Sequence, residues 1–286
     1  MRILILGSSG LLGTNLNKEL TKNFTVFNHT NTKESPYQAN LVDYISASKL
    51  INSIKPNYII NLTAITDVNK CQKDSDLAYR VHCKIPANIT KAIANLNEEI
   101  KVIHISTDQV YDKNYSREDE VILRNTYALT KYFGEKEFEL DKTIVLRTNF
   151  FGGDTETRTS FTGWINNISN NEEFNGFQNI YFNPLHISTL VEVIQKITTN
   201  FKPGIYNLGS HDGLSKYEFI VNYLERIGKN TDICKPSMYT DTGYPRPNEM
   251  IMDVTKFEKV FDMTLPKLKD EISKEAEYFL RNKNEF

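Results

Sequence analysis

The feature that most restricts this chain is its opening, MRILILGSSGLLG, in which a short apolar run meets three glycines, Gly7, Gly10 and Gly13, spaced three apart. An apolar run of that length bounded by turn residues reads as a buried strand, and the LLGTNLNKEL that follows has helical periodicity. A basic residue before an apolar run also resembles a secretion signal, but this run is too short and its glycines too regular. The alternation continues through TVFN (25–28), YIINL (58–62), KVIHIS (101–106) and TIVLR (143–147), with helix-like segments between them, such as ISASKLINSI and the span from Asp76 to Leu96. Strands alternating with helices imply βαβ units with right-handed crossovers, and hence an α/β doubly wound parallel sheet. Ligands of such sheets bind beyond the carboxyl ends of the strands, so the residues just after each apolar run are the ones to watch.

The glycine loop falls at the first of those ends. Glycines there allow a tight turn and close backbone approach to a pyrophosphate, and the following helix N-terminus supplies free N–H groups and positive dipole. Its place at the head of a βαβ series points to a Rossmann-type dinucleotide-binding domain. The second strand ends FNHTNTK, without an Asp or Glu to grip a ribose 2′-hydroxyl, which favours NADPH, with NADH left open. Lys33 and His29 are candidates for the 2′-phosphate, and both are equally readable as loop residues.

From Phe150 to about Ile180 the pattern breaks into a Gly-, Asn- and Thr-rich stretch, with FTGWINNIS as a helix. A helix at ISTLVEVIQKI and a strand at GIYNLG restore the order, and residues 215–286 alternate helical segments with the Pro-rich loop YPRPNEM. The expected division gives residues 1–149 and about 180–209 to the dinucleotide-binding domain. Residues of about 150–179 and 210–286 form a smaller, mostly helical substrate-binding part.

Composition removes several classes of function. With 34 basic against 36 acidic residues and no block of either sign, the chain lacks the basic excess that nucleic-acid binding draws on. No segment approaches the run of about 20 apolar residues that spans a bilayer, so a cytoplasmic protein is expected. Cys71, Cys83 and Cys234 are scattered without metal-ligand spacing, so they are expected to be reduced, packed thiols and no metal is expected.

The stretch YALTKYFGEK holds two Tyr–Lys pairs at helical i,i+4 spacing, Tyr127 with Lys131 and Tyr132 with Lys136. Five residues of helix add a rotation of about 140° beyond a full turn, so only one pair can meet a ligand. Tyr127 follows Asn125 and Thr126, both suited to capping a helix, which puts it at the loop end where a ligand belongs. For Tyr132 and Lys136 packing and solvation suffice.

Taken in order, Gly-x-x-Gly-x-x-Gly, NLTA after the third strand, S-T-D-x-V-Y from Ser106 and Y-x-x-x-K-x-x-G-E from Tyr127 resemble the extended short-chain dehydrogenase/reductase superfamily. Within it the chain is most similar to the dTDP-4-dehydrorhamnose reductase family, through TAITDVNKCQKDSDLAYRVH, VLRTNFF, GIYNLGS and PRPNEMIMDVTKFEKVF, so the resemblance covers almost the whole length. It implies NADPH-dependent reduction of the keto group of a nucleotide-activated 4-keto-6-deoxy sugar in deoxysugar or polysaccharide biosynthesis. Tyr127 would protonate the ketone oxygen, Lys131 would tune the tyrosine downward and hold the nicotinamide ribose, and Thr107 would orient the substrate oxygen. By resemblance Gly7, Gly10, Leu11, Leu12 and Gly13 bind the pyrophosphate. Asn40 and Leu41 line the adenine side, and Asn61, Leu62, Thr63 and Ala64 the nicotinamide side. Thr66, Thr107, Asp108, Phe150 and Pro184 fall to the substrate.

Some positions separate this chain from its relatives. Gln109 stands where related 4,6-dehydratases carry a Glu base, and an amide takes up no proton at neutral pH, so dehydration is disfavoured. The loop cysteine of epimerase-reductases of the GDP-fucose synthase type is absent. His82 replaces a usual Asn, Phe150 a usual Trp, and Leu185 a usual Thr. Two other readings stay open: a non-catalytic regulatory subunit like that of methionine adenosyltransferase, and a sugar-nucleotide epimerase. A homodimer also stays open.

Overall fold

The computed structural model describes residues 1–96, 98–153, 160–169, 172–240 and 243–283, the Lys283 side chain excepted. Residues 154–159 and 170–171 of the Gly-, Asn- and Thr-rich stretch lie outside these. The chain divides into two compact units: Met1–Val110, Leu123–Arg147 and Val191–Tyr206 form the first, and Tyr111–Ile122, Thr148–Leu190 and Asn207–Phe286 the second.

The first unit opens with β1 (Arg2–Leu6), α1 (Leu11–Leu20), β2 (Thr25–His29), α2 (Tyr44–Ile54) and β3 (Tyr58–Asn61). Next come α3 (Val68–Lys73), α4 (Ser75–Tyr79), a π-helical turn at Arg80–Lys84, α5 (Ile85–Ala94), β4 (Lys101–Thr107), α6 (Thr126–Lys136) and β5 (Thr143–Thr148). The elements beyond are β6 (Phe150–Phe151), α7 (Phe161–Asn167), β7 (Phe174–Phe177), β8 (Tyr181–Phe182), β9 (Leu185–His186), α8 (Ile187–Thr199) and β10 (Gly204–Leu208). The last are β11 (Leu214–Ser215), α9 (Lys216–Arg226), β12 (Cys234–Ser237), β13 (Glu249–Met250), α10 (Thr255–Phe261) and α11 (Leu268–Lys283).

The main sheet is six-stranded, in the order β10-β5-β4-β3-β1-β2, and is Rossmann-like and parallel as expected. Its inner strands β1, β3, β4 and β5 are buried on both faces, which is why their apolar runs are nearly continuous rather than alternating. Leu4, Leu6, Ile59 and Val102 pack with Leu50, Ile51 and Ile54 of α2 and Ile85, Ile89 and Ala92 of α5. By the strand period of two, Ile3, Ile5, Ile60 and Ile103 point to the other side. Burying an aliphatic side chain of this size stabilises by roughly 1.5–3 kcal/mol, and both faces of the sheet contribute. Because β1 lies between β2 and β3, the order reverses there, and the carboxyl ends of β1 and β3 flank the ligand crevice of such folds.

The second unit is more mixed than the expected helical part. It contains a three-stranded sheet, β11-β8-β13, and the two-stranded pairs β12-β7 and β6-β9, together with its helices. An aromatic cluster of Phe151, Phe182, Phe219 and Tyr223 packs with Leu268 and Ile272 of α11. Two- to four-residue strands leave many backbone groups without ladder partners, and buried side chains satisfy them. Asn183 donates to Ser210 O and Met252 O and accepts from the Met252 N–H. Asn207 accepts from Tyr111 Oη at 2.6 Å and donates to Ser116 O and Asp253 O. The bond from Tyr111 gives residues 111–122 partners in the second unit. No helix among the described residues is long and apolar enough to cross a membrane.

Candidate active site

The glycine loop leaves β1 with Gly7 at φ +81°, a conformation that costs residues other than glycine a steric penalty. A Cβ there would also sit 3.3 Å from the backbone of Leu62 and Thr63, so loops beyond β1 and β3 run close together. At Gly13 a Cβ would lie 2.6 Å from the Ser8 backbone, so glycine lets α1 close onto the loop. Gly10 caps α1 without a side-chain hydrogen bond, so no capping side chain covers the first-turn backbone N–H groups of Leu11, Leu12 and Gly13.

Several of the other candidates around this loop also have partners within the protein. Leu41 is buried in the apolar layer, with its carbonyl held by Asn88. Asn40 is exposed and accepts from the Val42 N–H. Asn61 is wholly buried and accepts from the Thr63 N–H and hydroxyl, the latter at 2.7 Å, so its side chain shapes the loop rather than lining a ligand. Leu62, Thr63 and Ala64 are half-buried, and Thr66 is exposed. His29 cannot serve a phosphate: it is buried, with Nε2 2.8 Å from Ala39 O and Nδ1 accepting from the Gly7 N–H. Burial lowers its pKa and keeps it neutral at working pH. Lys33 is exposed on the same loop.

Helix α6 starts as its sequence suggests, with Asn125 Oδ1 accepting from the Ala128 N–H at 2.9 Å. Tyr127 is thereby fixed in the first turn, packed against Val68, Cys71 and Ala78. Its hydroxyl is hydrogen-bonded to Thr107, at the carboxyl end of β4, and Asp108 lies near enough to act on it electrostatically. Thr107 Oγ1 in turn donates to Asp108 at 3.2 Å and accepts from the Gln109 N–H. One helical turn on, Lys131 is 3 % exposed and donates through Nζ to Ile105 O at 2.7 Å.

The electrostatics correct one expectation. The Tyr127 pKa is raised to about 12, by burial first, against a lowering by the Thr107 bond and a further rise from Asp108 and Cys71. Lys131 is not among the causes; burial lowers its own pKa to about 8, opposed by Glu135, Cys83 and Cys71. Its ammonium is committed to a backbone carbonyl, so the phenol is held protonated rather than tuned downward. The second pair is peripheral: Lys136 is exposed and its Nζ lies 4.6 Å from the Tyr132 ring centroid.

His82, on the π-helical turn, is buried and hydrogen-bonded through both ring nitrogens, to the Ile65 N–H and to Thr130. The sequence marked His82 but offered no signal for Ile65 or Thr130 as its partners. In the second unit, Phe150 is half-buried on β6 and pairs in register with Leu185, while Pro184 is buried beside Asn183. Among the described residues no group of three or more His, Cys, Asp or Glu is placed to hold a metal ion.

A glycine loop at the switch point of a parallel sheet, with Thr107, Tyr127 and Lys131 gathered at the end of β4, defines an extended short-chain dehydrogenase/reductase fold. Within that class the chain belongs to the RmlD substrate binding domain family, whose model matches residues 1–280. It is 23% identical over 292 residues to a probable low-salt glycan biosynthesis reductase of Haloferax volcanii, covering 96% of each chain. It is 26% identical to a dTDP-4-dehydrorhamnose reductase of Aggregatibacter actinomycetemcomitans, over 91% of this chain and 93% of the relative. The methionine adenosyltransferase 2 subunit beta of Xenopus laevis is also 26% identical, over 91% of this chain and 82% of that one. Among solved structures, a dTDP-4-dehydrorhamnose reductase of Bacillus anthracis in complex with NADP superposes with a TM-score of 0.84 at 20% identity, over 98% of both chains.

Proposed function

We propose that this protein reduces the keto group of a nucleotide-activated 4-keto-6-deoxy sugar, with NADPH as reductant, in the building of a deoxysugar for a glycan. The observation that carries this reading is the buried Tyr127 phenol, hydrogen-bonded to Thr107 at the carboxyl end of β4, with Lys131 one turn behind. The glycine loop fits a dinucleotide, since Gly7 takes a positive φ, Gly13 has no room for a Cβ and no side chain caps α1. Gly7, Gly10, Leu11, Leu12 and Gly13 would hold the pyrophosphate, Asn40 and Leu41 the adenine side, and Leu62, Thr63 and Ala64 the nicotinamide side. When bound, the reduced nicotinamide supplies a hydride for the carbonyl carbon. The NADP in the Bacillus anthracis structure supports the choice of cofactor, and Lys33 is the remaining candidate for its 2′-phosphate.

The chain's own residues then handle the proton. Tyr127, with its pKa near 12, is protonated at neutral pH, the state a general acid needs. The ketone oxygen becomes an alkoxide as it is reduced, a far stronger base than a phenolate, so transfer of the phenolic proton to it is downhill. Thr107 orients that oxygen through its hydroxyl. With a pKa of about 8, Lys131 keeps most of its charge at pH 7; one of its three N–H donors is on Ile105 O, and the others would hold the nicotinamide ribose. The amide of Gln109 supplies no base for eliminating water.

The likeness to the Xenopus laevis subunit supports a second reading, a non-catalytic nucleotide-binding subunit. An NADPH-oxidation assay with dTDP-, GDP- and UDP-linked 4-keto sugars separates the two. Tyr127→Phe should lower turnover by about 10³-fold while leaving cofactor affinity nearly unchanged. Unchanged turnover in that variant would sink the mechanism, and NADPH binding without reduction of any keto sugar would select the subunit.

A further inference from the structure

Between α4 and α5 the helix widens into the π-turn Arg80–Lys84, a form found mostly as single turns and frequently at functional sites. The turn presses the His82 carbonyl against α6, where a Cβ added to Gly134 would lie only 1.9 Å from that oxygen. The His82 ring then reaches the loop after β3. The Ile65 N–H can only donate, so Nε2 accepts it, at 2.9 Å. Nδ1 lies 2.8 Å from Thr130 Oγ1, whose own proton goes to Thr126 O at 2.7 Å. Thr130 therefore accepts from Nδ1–H, and the tautomer is fixed by its partners. The ring also meets Tyr127 edge-on, with centroids 5.6 Å apart and planes at 86°.

With both nitrogens engaged, His82 is neither an acid nor a base for the reaction. We propose instead that His82 is a positioning residue: it locks the loop at 62–66, on the cofactor side, to helix α6 and fixes the Tyr127 ring against Thr107. An Asn at this position is too short to hold Ile65 and Thr130 together and would keep at most one of the two bonds. Its catalytic consequence rests on the reductase reading, whereas the clamp itself does not.

The test uses the full chain with His82→Ala, His82→Asn, Thr130→Val and the His82→Ala/Thr130→Val double variant, with dTDP-4-dehydrorhamnose and NADPH as probes. Nitrogen NMR of the wild type should show the Nδ1–H tautomer at His82. Amide exchange at Ile65 should rise about tenfold or more in His82→Ala. Single-turnover reduction should fall about 10- to 100-fold, with the NADPH dissociation constant changed by less than about threefold, because misplacing the acid affects chemistry more than binding. The double variant should lose little beyond His82→Ala alone, since both substitutions cut one linkage. Turnover of His82→Ala within about twofold of wild type, or single losses that multiply in the double variant, overturns the positioning role. If the wild type reduces no keto sugar the reductase reading fails, and the clamp is then judged by its NMR signatures: an Nε2–H tautomer or unchanged Ile65 exchange overturns it. Should His82→Ala fail to fold, the wild-type tautomer and His82→Asn carry the same test.

Discussion

The two units are stabilised in different currencies of interaction. In the first, the inner strands are largely apolar and buried, and α2 and α5 lay aliphatic faces on the sheet. In the second, strands of two to four residues are held in place by buried polar side chains that bond to backbone. Glu275 is typical: it takes the Gly153 N–H at 3.0 Å, the Thr162 hydroxyl at 2.9 Å and His186 Nε2 at 3.0 Å. Glu271 accepts in the same way from the His186 N–H and the Thr189 hydroxyl. Apolar layering tolerates small shape changes, whereas a polar hub fails once one partner is removed, because the rest stay buried and unpaired.

Substitutions can test that contrast. The largest stability effect is expected in the first unit: Ile59→Ala leaves a cavity in the aliphatic layer and should cost about 3–4 kcal/mol in urea unfolding, with faster amide exchange in β3 and its neighbours. Asn183→Ala in the second unit should cost about 2–3 kcal/mol, with exchange rising at Met252, although it removes far less apolar surface. If Asn183→Ala is neutral, the second unit is not held as described.

A smaller effect should separate the units by pH. His29, His82 and His104, all in the first unit, have lowered pKa values, each chiefly through burial. A lowered folded pKa means that the unfolded chain binds more protons below pH 6.5, so stability falls as pH drops from 6.5 toward the folded value. For His82, with a folded pKa near 3, the loss between pH 7 and pH 5 is about 2 kcal/mol. Unfolding of His82→Asn should show a correspondingly flatter pH dependence over that range. The smallest effect is predicted for Lys136→Ala, which should change stability by no more than about 0.5 kcal/mol and leave turnover as it is, as the exposed member of the unused Tyr–Lys pair. A marked loss of turnover there would reopen the choice between the pairs.

The same contrast explains how much could be read from sequence. Each apolar run of the first half became a strand of the main sheet, and the three spaced glycines became the loop after β1. Asn125 capped α6, which is what put Tyr127 at the ligand end. The short strands of the second unit could not be seen in this way: a two-residue pairing such as Phe150 with Leu185 has no period, and an isolated Asn183 looks like any loop asparagine. The direction of the Tyr127 shift was misjudged for a related reason. Helical spacing puts Lys131 on the same face as Tyr127, but only the fold directs its ammonium to Ile105 O.

By itself, then, the sequence determined the parallel α/β architecture, the place of the glycine loop and which tyrosine begins the helix, because hydrophobic period, turn chemistry and capping act over a few neighbouring residues. Tertiary structure decided what those residues meet: His82 spanning from Ile65 to Thr130, His29 turned inward beneath the glycine loop, and Tyr127 kept protonated beside Thr107. Those outcomes depend on burial and on partners many residues away, quantities that arise only when the chain has packed.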